Sequence, residues 1–309
     1  MSHHHDHAGH AYTGHTHAPA DFGKAFAIGI ALNTAFVVIE FVFGILSNSI
    51  ALIADAGHNL SDVLGLVMAW IGGVLARRPP STRFTYGLKG APILAALFNA
   101  VLLLVGVGAI AWEAAQRLFA PAPVAETTVM IVAGIGVVIN TITALLFMSG
   151  RKGDLNVRGA FLHMAADAAV SAGVVVAALV ILLTGWLWLD PAISLVIVAV
   201  IVWGTWGLLR ESLALSLAAV PSGIAPEDIR RYLAGLPGVA AVHDLHIWAM
   251  STTETAMTAH LVMPQGHPGD AALAGIVHEL KHRFGIVHPT LQIELGDAQA
   301  CALEPDSTV

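Results

Sequence analysis

Charge is what this chain has least of. Asp, Glu, Lys and Arg make up 11% of its residues, where a soluble domain carries about 25%. With 56% hydrophobic residues and a mean hydropathy of +0.75, such a chain cannot cover a water-facing surface and reads as an integral membrane protein. Cysteine is nearly absent: a single residue, Cys301, excludes an internal disulfide and any Cys-rich zinc module. No charged n-region followed by an apolar core opens the chain, so no cleavable signal peptide is expected. Histidine, by contrast, is plentiful, with 16 residues set against a formal net charge of −7.

The apolar residues fall into six runs, about 24–46, 50–75, 90–112, 127–147, 159–184 and 191–209. A membrane-spanning helix needs roughly 20 such residues, so six transmembrane helices are expected over residues 24–211. Arg77, Arg78, Arg83 and Lys89 lie between runs two and three, Arg151, Lys152 and Arg158 between four and five, and Arg210 after run six. Only Arg117 falls in the opposite connections. Positive charge stays on the cytoplasmic side, which puts both termini in the cytoplasm and the chain in a cell (inner or plasma) membrane. Residues 1–23 are polar and His-rich without hydrophobic periodicity, the composition of a disordered tail that gathers metal loosely.

Inside the second run stands Ala54-Asp55-Ala56-Gly57-His58-Asn59-Leu60-Ser61-Asp62. A carboxylate at the middle of a membrane costs about 2.5–3.5 kcal/mol on insertion scales, so an acid there marks function. His58 and Asp62 are four apart and share one helical face. His163 and Asp167 repeat the spacing in the fifth run. Two imidazoles and two carboxylates make a four-ligand set suited to a tetrahedral divalent ion such as Zn²⁺. Asn33 and Glu40 share a face of run one and are expected to hydrogen-bond between helices, as is Asn140 of run four. Asp55 is expected to support the ligands or helix packing. The paired glycines Gly72-Gly73 and Gly106 with Gly108 read as close-packing points.

From about residue 220 the composition turns soluble. A capped helix over 222–235, strands over 239–250 and 254–263, a helix over 269–284 and a strand over 286–295 give the order α-β-β-α-β, a small α+β unit over 212–296 with a tail at 297–309. Within it, His278-Glu279-Leu280-Lys281-His282-Arg283-Phe284-Gly285-Ile286-Val287-His288 satisfies the HExxHxxGxxH pattern of zinc proteases. No Met follows Met263 to form the required Met-turn, and too little chain follows His288 for a catalytic subdomain. Leu273, Ile276, Val277, Leu280 and Phe284 supply an ordinary apolar stripe instead. Enzyme activity is therefore not expected.

These marks, with Arg83-Phe84-Thr85-Tyr86-Gly87, Ile93-Leu94-Ala95-Ala96-Leu97 with Asn99, Val242-His243-Asp244-Leu245-His246-Ile247-Trp248 and His288-Pro289-Thr290-Leu291-Gln292-Ile293-Glu294, resemble the cation diffusion facilitator family on its zinc-transporter branch, over about residues 22–296. The resemblance implies a homodimer of six-helix subunits with cytoplasmic ferredoxin-like domains. It also implies export of Zn²⁺ in exchange for protons, with Co²⁺, Cd²⁺ or Ni²⁺ as alternative main ions and no nucleic-acid partner. It places the transport site on His58, Asp62, His163 and Asp167, and a cytoplasmic metal site on His243, His260 and Glu294, with Cys301 a candidate fourth ligand. Departures are a short 149–154 loop where many relatives carry histidines, and a connection over 76–89 without His, Asp, Glu or Cys, where no metal is expected. A sensor or scaffold that binds zinc without moving it is the remaining rival.

Overall fold

A computed structural model describes residues 23–148, 155–296 and 301, and within these the side chains of residues 23–30, 32, 62, 66, 69–70, 146–148 and 155–163, Asp62 and His163 among them, lie outside the description. The His-rich tail up to residue 22, the 149–154 loop and the C-terminal tail other than Cys301 also lie outside them.

Long helices come first: α1 Gly23–Leu46, α2 Ile50–Ala76, α3 Ala91–Phe119, α4 Glu126–Met148, α5 Leu155–Thr184 and α6 Leu189–Ser216. Among the described residues four stretches are long and apolar enough to cross a membrane: Ala91–Phe119, Glu126–Leu145, Met164–Thr184 and Leu189–Ser216. The described part of α1 adds a shorter apolar helix, Asn33–Leu46. Helix α4 packs along α5, α3 along α6, and α2 lies against α1, α3 and α6. Phe36, Leu52, Val107, Val129, Val174, Ile197 and Ile201 are buried at the centre of this bundle. Much of the remaining apolar surface faces outward, as on Leu94, Phe98, Trp112 and Trp203, which suits a lipid solvent.

The ends of α2 are fixed by specific contacts. At its start, Ser49 caps the helix by accepting from the Leu52 amide at 3.2 Å. Asp190, at the head of α6, accepts from the Ile50 amide at 2.8 Å and from the Ser49 hydroxyl. A carboxylate at a helix N-terminus satisfies amides that have no intrahelical partner and meets the positive end of the dipole. This role of Asp190 was not anticipated from the sequence. Near the other end, Gly72 meets α3 so closely that a Cβ would stand 2.8 Å from Pro92 Cα. The expected close packing holds there. At Gly73, Gly106 and Gly108 an added Cβ would meet nothing within 4 Å among the described residues. Asn140 is buried, and among the described residues neither its Nδ2 nor its Oδ1 has a hydrogen-bond partner.

The second unit contains α7 Pro226–Ala234, β1 Ala241–Ala249, β2 Thr255–Val262, α8 Asp270–Phe284 and β3 Ile286–Glu294. The expected α-β-β-α-β order is present, with α7 beginning only at Pro226 and both hairpin strands shorter than read from sequence. Strand β2 is central, antiparallel to β1 and parallel to β3. Helix α7 packs on β1 and α8 on β3, closing a core of Ile229, Leu233, Ile247, Met257, Leu261, Leu280 and Ile286. Gly285, at φ 73°, terminates α8 in the left-handed conformation that glycine adopts without strain. The two units touch through the α2–α3 connection, where Lys89 forms an ion pair with Glu254 and the Tyr86 ring stands edge-on to His288 at 5.4 Å.

Replacing Gly72 by Val should force α2 and α3 apart, at a cost of about 1–3 kcal/mol for overpacking against an unyielding backbone. Gly73→Ala should be tolerated. Thermal unfolding of the two purified variants checks the contrast; equal midpoints would refute it.

Candidate functional site

Two clusters of metal-ligating side chains stand out, one inside the helical bundle and one on the sheet. In the bundle, helical spacing places His58 and Asp62 one turn apart on α2, and His163 and Asp167 one turn apart on α5. Across the two helices, His58 Nε2 lies 3.1 Å from Asp167 Oδ1. Asp167 is 1% exposed, and His58 16%. The geometry at Asp62 and His163 lies outside the described residues. The pairing that is described joins one imidazole and one carboxylate from the two helices that sequence spacing singled out.

Two further hydrogen bonds, between four polar groups, lie beside that pair. Asn59 Nδ2 donates to Glu40 Oε2 of α1 at 3.0 Å, which is the interhelical bond expected of Glu40. Ser171, one turn after Asp167 on α5, donates to Asp55 Oδ2 at 2.9 Å. Ser171 had escaped notice in the sequence, although its spacing of four from Asp167 was the available signal. A lone serine in an apolar helix usually bonds its own backbone, so the spacing carries little weight until the fold puts an acid opposite it.

The sheet cluster follows from register. His243 on β1 and His260 on β2 are direct cross-strand partners, and Glu294 ends β3 beside them. His243 Nε2 lies 3.1 Å from Glu294 Oε2, and His260 Nδ1 lies 3.0 Å from Glu294 Oε1. Cys301 Sγ reaches His260 Nδ1 at 3.7 Å. One ligand atom from each of these four residues falls within 4.8 Å of all the others. For an ion bound at about 2.0–2.3 Å, neighbouring ligands of a tetrahedron sit about 3.3–3.8 Å apart, so only a small contraction is needed. His243 Nε2 is close to its carboxylate but out of line for a hydrogen bond, as befits a lone pair aimed at a common centre.

A β-bulge between His243 and His246 sets up the outer contacts. Asp244, at φ 50°, turns its carboxylate to His260 Nε2 at 3.3 Å and to His246 Nε2 at 2.8 Å. An acceptor on Nε2 of His260 leaves Nδ1 as the metal-facing nitrogen, the usual carboxylate–histidine–metal arrangement. Desolvation pushes the Glu294 carboxyl up, but hydrogen bonds from Cys301 and Gln292 and the fields of His243 and His260 outweigh it and hold the group below its usual range. Glu294 is thus anionic and ready to ligate. Asp244 was absent from the expected set; its signal was its place between two histidines, and only the bulge makes it face both.

The zinc-protease pattern does not assemble. His278 and His282 lie one turn apart on α8 with tilted rings whose centroids are 4.2 Å apart, while His288 lies on β3 against Tyr86. The third histidine is engaged by another element.

Residues 26–215 match the family model described as the cation efflux transmembrane domain, and residues 221–295 match the cation efflux protein, cytoplasmic domain. The chain is 36% identical over 288 residues to the cation efflux system protein CzcD of Alcaligenes sp. (strain CT14), covering 93% of this chain and 91% of that one. It is 35% identical over 286 residues to the cadmium, cobalt and zinc/H(+)-K(+) antiporter of Bacillus subtilis (strain 168), covering 91% and 92%. With the zinc transporter ZitB of Escherichia coli (strain K12) it shares 34% identity over 297 residues, covering 95% and 93%. These relatives are transporters rather than enzymes, and the chain, with its apolar helical bundle and appended sheet unit, belongs to the cation efflux family of integral membrane proteins.

Proposed function

We propose that this protein exports Zn²⁺ from the cytoplasm in exchange for protons, and that His58, Asp62, His163 and Asp167 carry the ion. The observation that carries this reading is the 3.1 Å contact of His58 with Asp167 across α2 and α5, deep in the apolar bundle. Two nitrogens and two anionic oxygens favour Zn²⁺ over Mg²⁺ or Ca²⁺, which prefer all-oxygen shells. The same lone pairs bind protons, so metal release and protonation are linked. Histidine titrates near neutrality and lets a proton arriving from the far side displace the metal. All of α1–α6 span the membrane, with both termini and the sheet unit in the cytoplasm, as the lysine and arginine distribution requires.

The sheet unit pairs two subunits into a homodimer in this reading, and His243, His260, Glu294 and Cys301 hold a cytoplasmic metal ion. A second reading, with Cd²⁺ or Co²⁺ as the main cargo, is favoured by the likeness to the cadmium, cobalt and zinc/H(+)-K(+) antiporter of Bacillus subtilis; donor type alone does not select among late divalent ions.

Asp62→Ala combined with Asp167→Ala should abolish zinc uptake into proteoliposomes and leave a folded protein. Uptake in wild type should rise as the trans side is acidified. Normal zinc flux in the double variant would overturn the assignment, and cadmium or cobalt flux exceeding zinc flux would favour the second reading. For the sheet site, His243→Ala with His260→Ala should lower bound zinc by about one ion per chain. Unchanged stoichiometry would remove that site. For orientation, a label on the Thr184-Gly185-Trp186 connection should react from outside intact cells, and tags at either terminus should not.

A further inference from the structure

The ligand set leaves two buried acids unused. Glu40 on α1 and Asp55 on α2 are each 0% exposed. Each has one oxygen satisfied: Glu40 Oε2 by Asn59 at 3.0 Å and Asp55 Oδ2 by Ser171 at 2.9 Å. The other oxygen of each, Glu40 Oε1 and Asp55 Oδ1, is sealed from solvent without a hydrogen-bond donor among the described residues. Asp55 and Asn59 are four apart on α2, so the Asn59 bond sets Glu40 against the helical face that Asp55 shares. Ionised carboxylates only accept hydrogen bonds. Two of them in contact, away from water, repel strongly and leave both facing oxygens unsatisfied. One proton cures both faults, since the protonated acid donates to its neighbour. Paired carboxyls that share a proton follow the same logic in aspartic proteases.

We propose that Glu40 and Asp55 hold one proton between them, and that this pair is a proton site separate from the metal ligands and emptied when the metal binds. Its place supports the role. Asp55 precedes His58 by three residues and Ser171 follows Asp167 by four, so the pair lies about one turn from the His58–Asp167 contact, toward the α1–α2 connection. Among the described residues the other charged or titratable groups acting on it are His58 and Asp167, and no lysine or arginine reaches it. A divalent cation arriving one turn away favours loss of the proton, because the pair's second negative charge then attracts the ion. By linkage the proton weakens metal binding by the same factor. The balance is simple: the metal enters its ligand set as the shared proton leaves Glu40 and Asp55 for solvent, and a proton returning to the pair restores the acid–carboxylate state as the metal departs. The linkage part of this inference rests on the proposed transport site; the shared proton itself does not.

Infrared difference spectroscopy on the full-length, zinc-free protein in lipid tests the pair directly. The carbonyl stretch of a protonated carboxyl should be present, should vanish on adding Zn²⁺, and should be missing in both Glu40→Gln and Asp55→Asn, whose amides can donate in place of the shared proton. Absence of the band in zinc-free wild type, or its survival in both variants, would overturn the proposal. Calorimetry in buffers of different ionisation enthalpy should find roughly one proton fewer displaced per zinc in Glu40→Gln than in wild type; equal numbers would refute the linkage. Asp62→Ala with Asp167→Ala should keep the zinc-free band, so failure of the transport-site reading and failure of the proton pair give different results.

Discussion

Each charge that this chain carries into its apolar bundle needs a partner there, and that requirement organises the helices. A lone carboxylate in such surroundings is expensive, yet Glu40, Asp55, Asp167 and Asp190 are all buried. Each is met by a group from another helix: Asn59 for Glu40, Ser171 for Asp55, His58 for Asp167, and the Ser49 hydroxyl with the first amides of α2 for Asp190. Helix α2 takes part in every one of these contacts. The polar groups therefore select one arrangement of helices whose apolar surfaces would tolerate many.

Helix α2 is anchored at both ends. The Asp190 carboxylate fixes its start against α6, and the bare backbone at Gly72 fixes its later turns against Pro92 of α3. Just beyond, Tyr86 and Lys89 reach His288 and Glu254 of the sheet unit. The helix that presents His58 is thus joined, through one short connection, to the strands that present His243, His260 and Glu294.

The sheet cluster works by a different economy. Cross-strand register brings the two histidines together, and a bulge turns Asp244 out of the ladder to hold the far side of His260. A site built on a register is rigid for the same reason that a strand slip is costly: moving one residue reverses every side chain. In the bundle, by contrast, the contacts of Asp167 and Asp55 join helices through single side chains, an arrangement that a change of helix tilt can open.

Much of this was legible in the linear chain because its signals are local. Apolar length marks a long helix suited to lipid, and HxxxD spacing puts two ligating side chains on one helical face. The α-β-β-α-β order and the stop at Gly285 came from the same kind of short-range pattern. Other features depend on what stands opposite. Gly72 packs on α3 while the neighbouring Gly73 touches nothing within 4 Å, and no sequence rule separates them. Ser171, Asp190 and Asp244 looked ordinary until the fold placed an acid, a helix start or a histidine pair beside them. Glu40 and Asp55 are 15 residues apart on separate helices, and each alone reads as a packing acid. Their approach to one another is a property of helix packing, because hydrogen bonding and charge repulsion act over a few ångströms of space and take no account of distance along the chain.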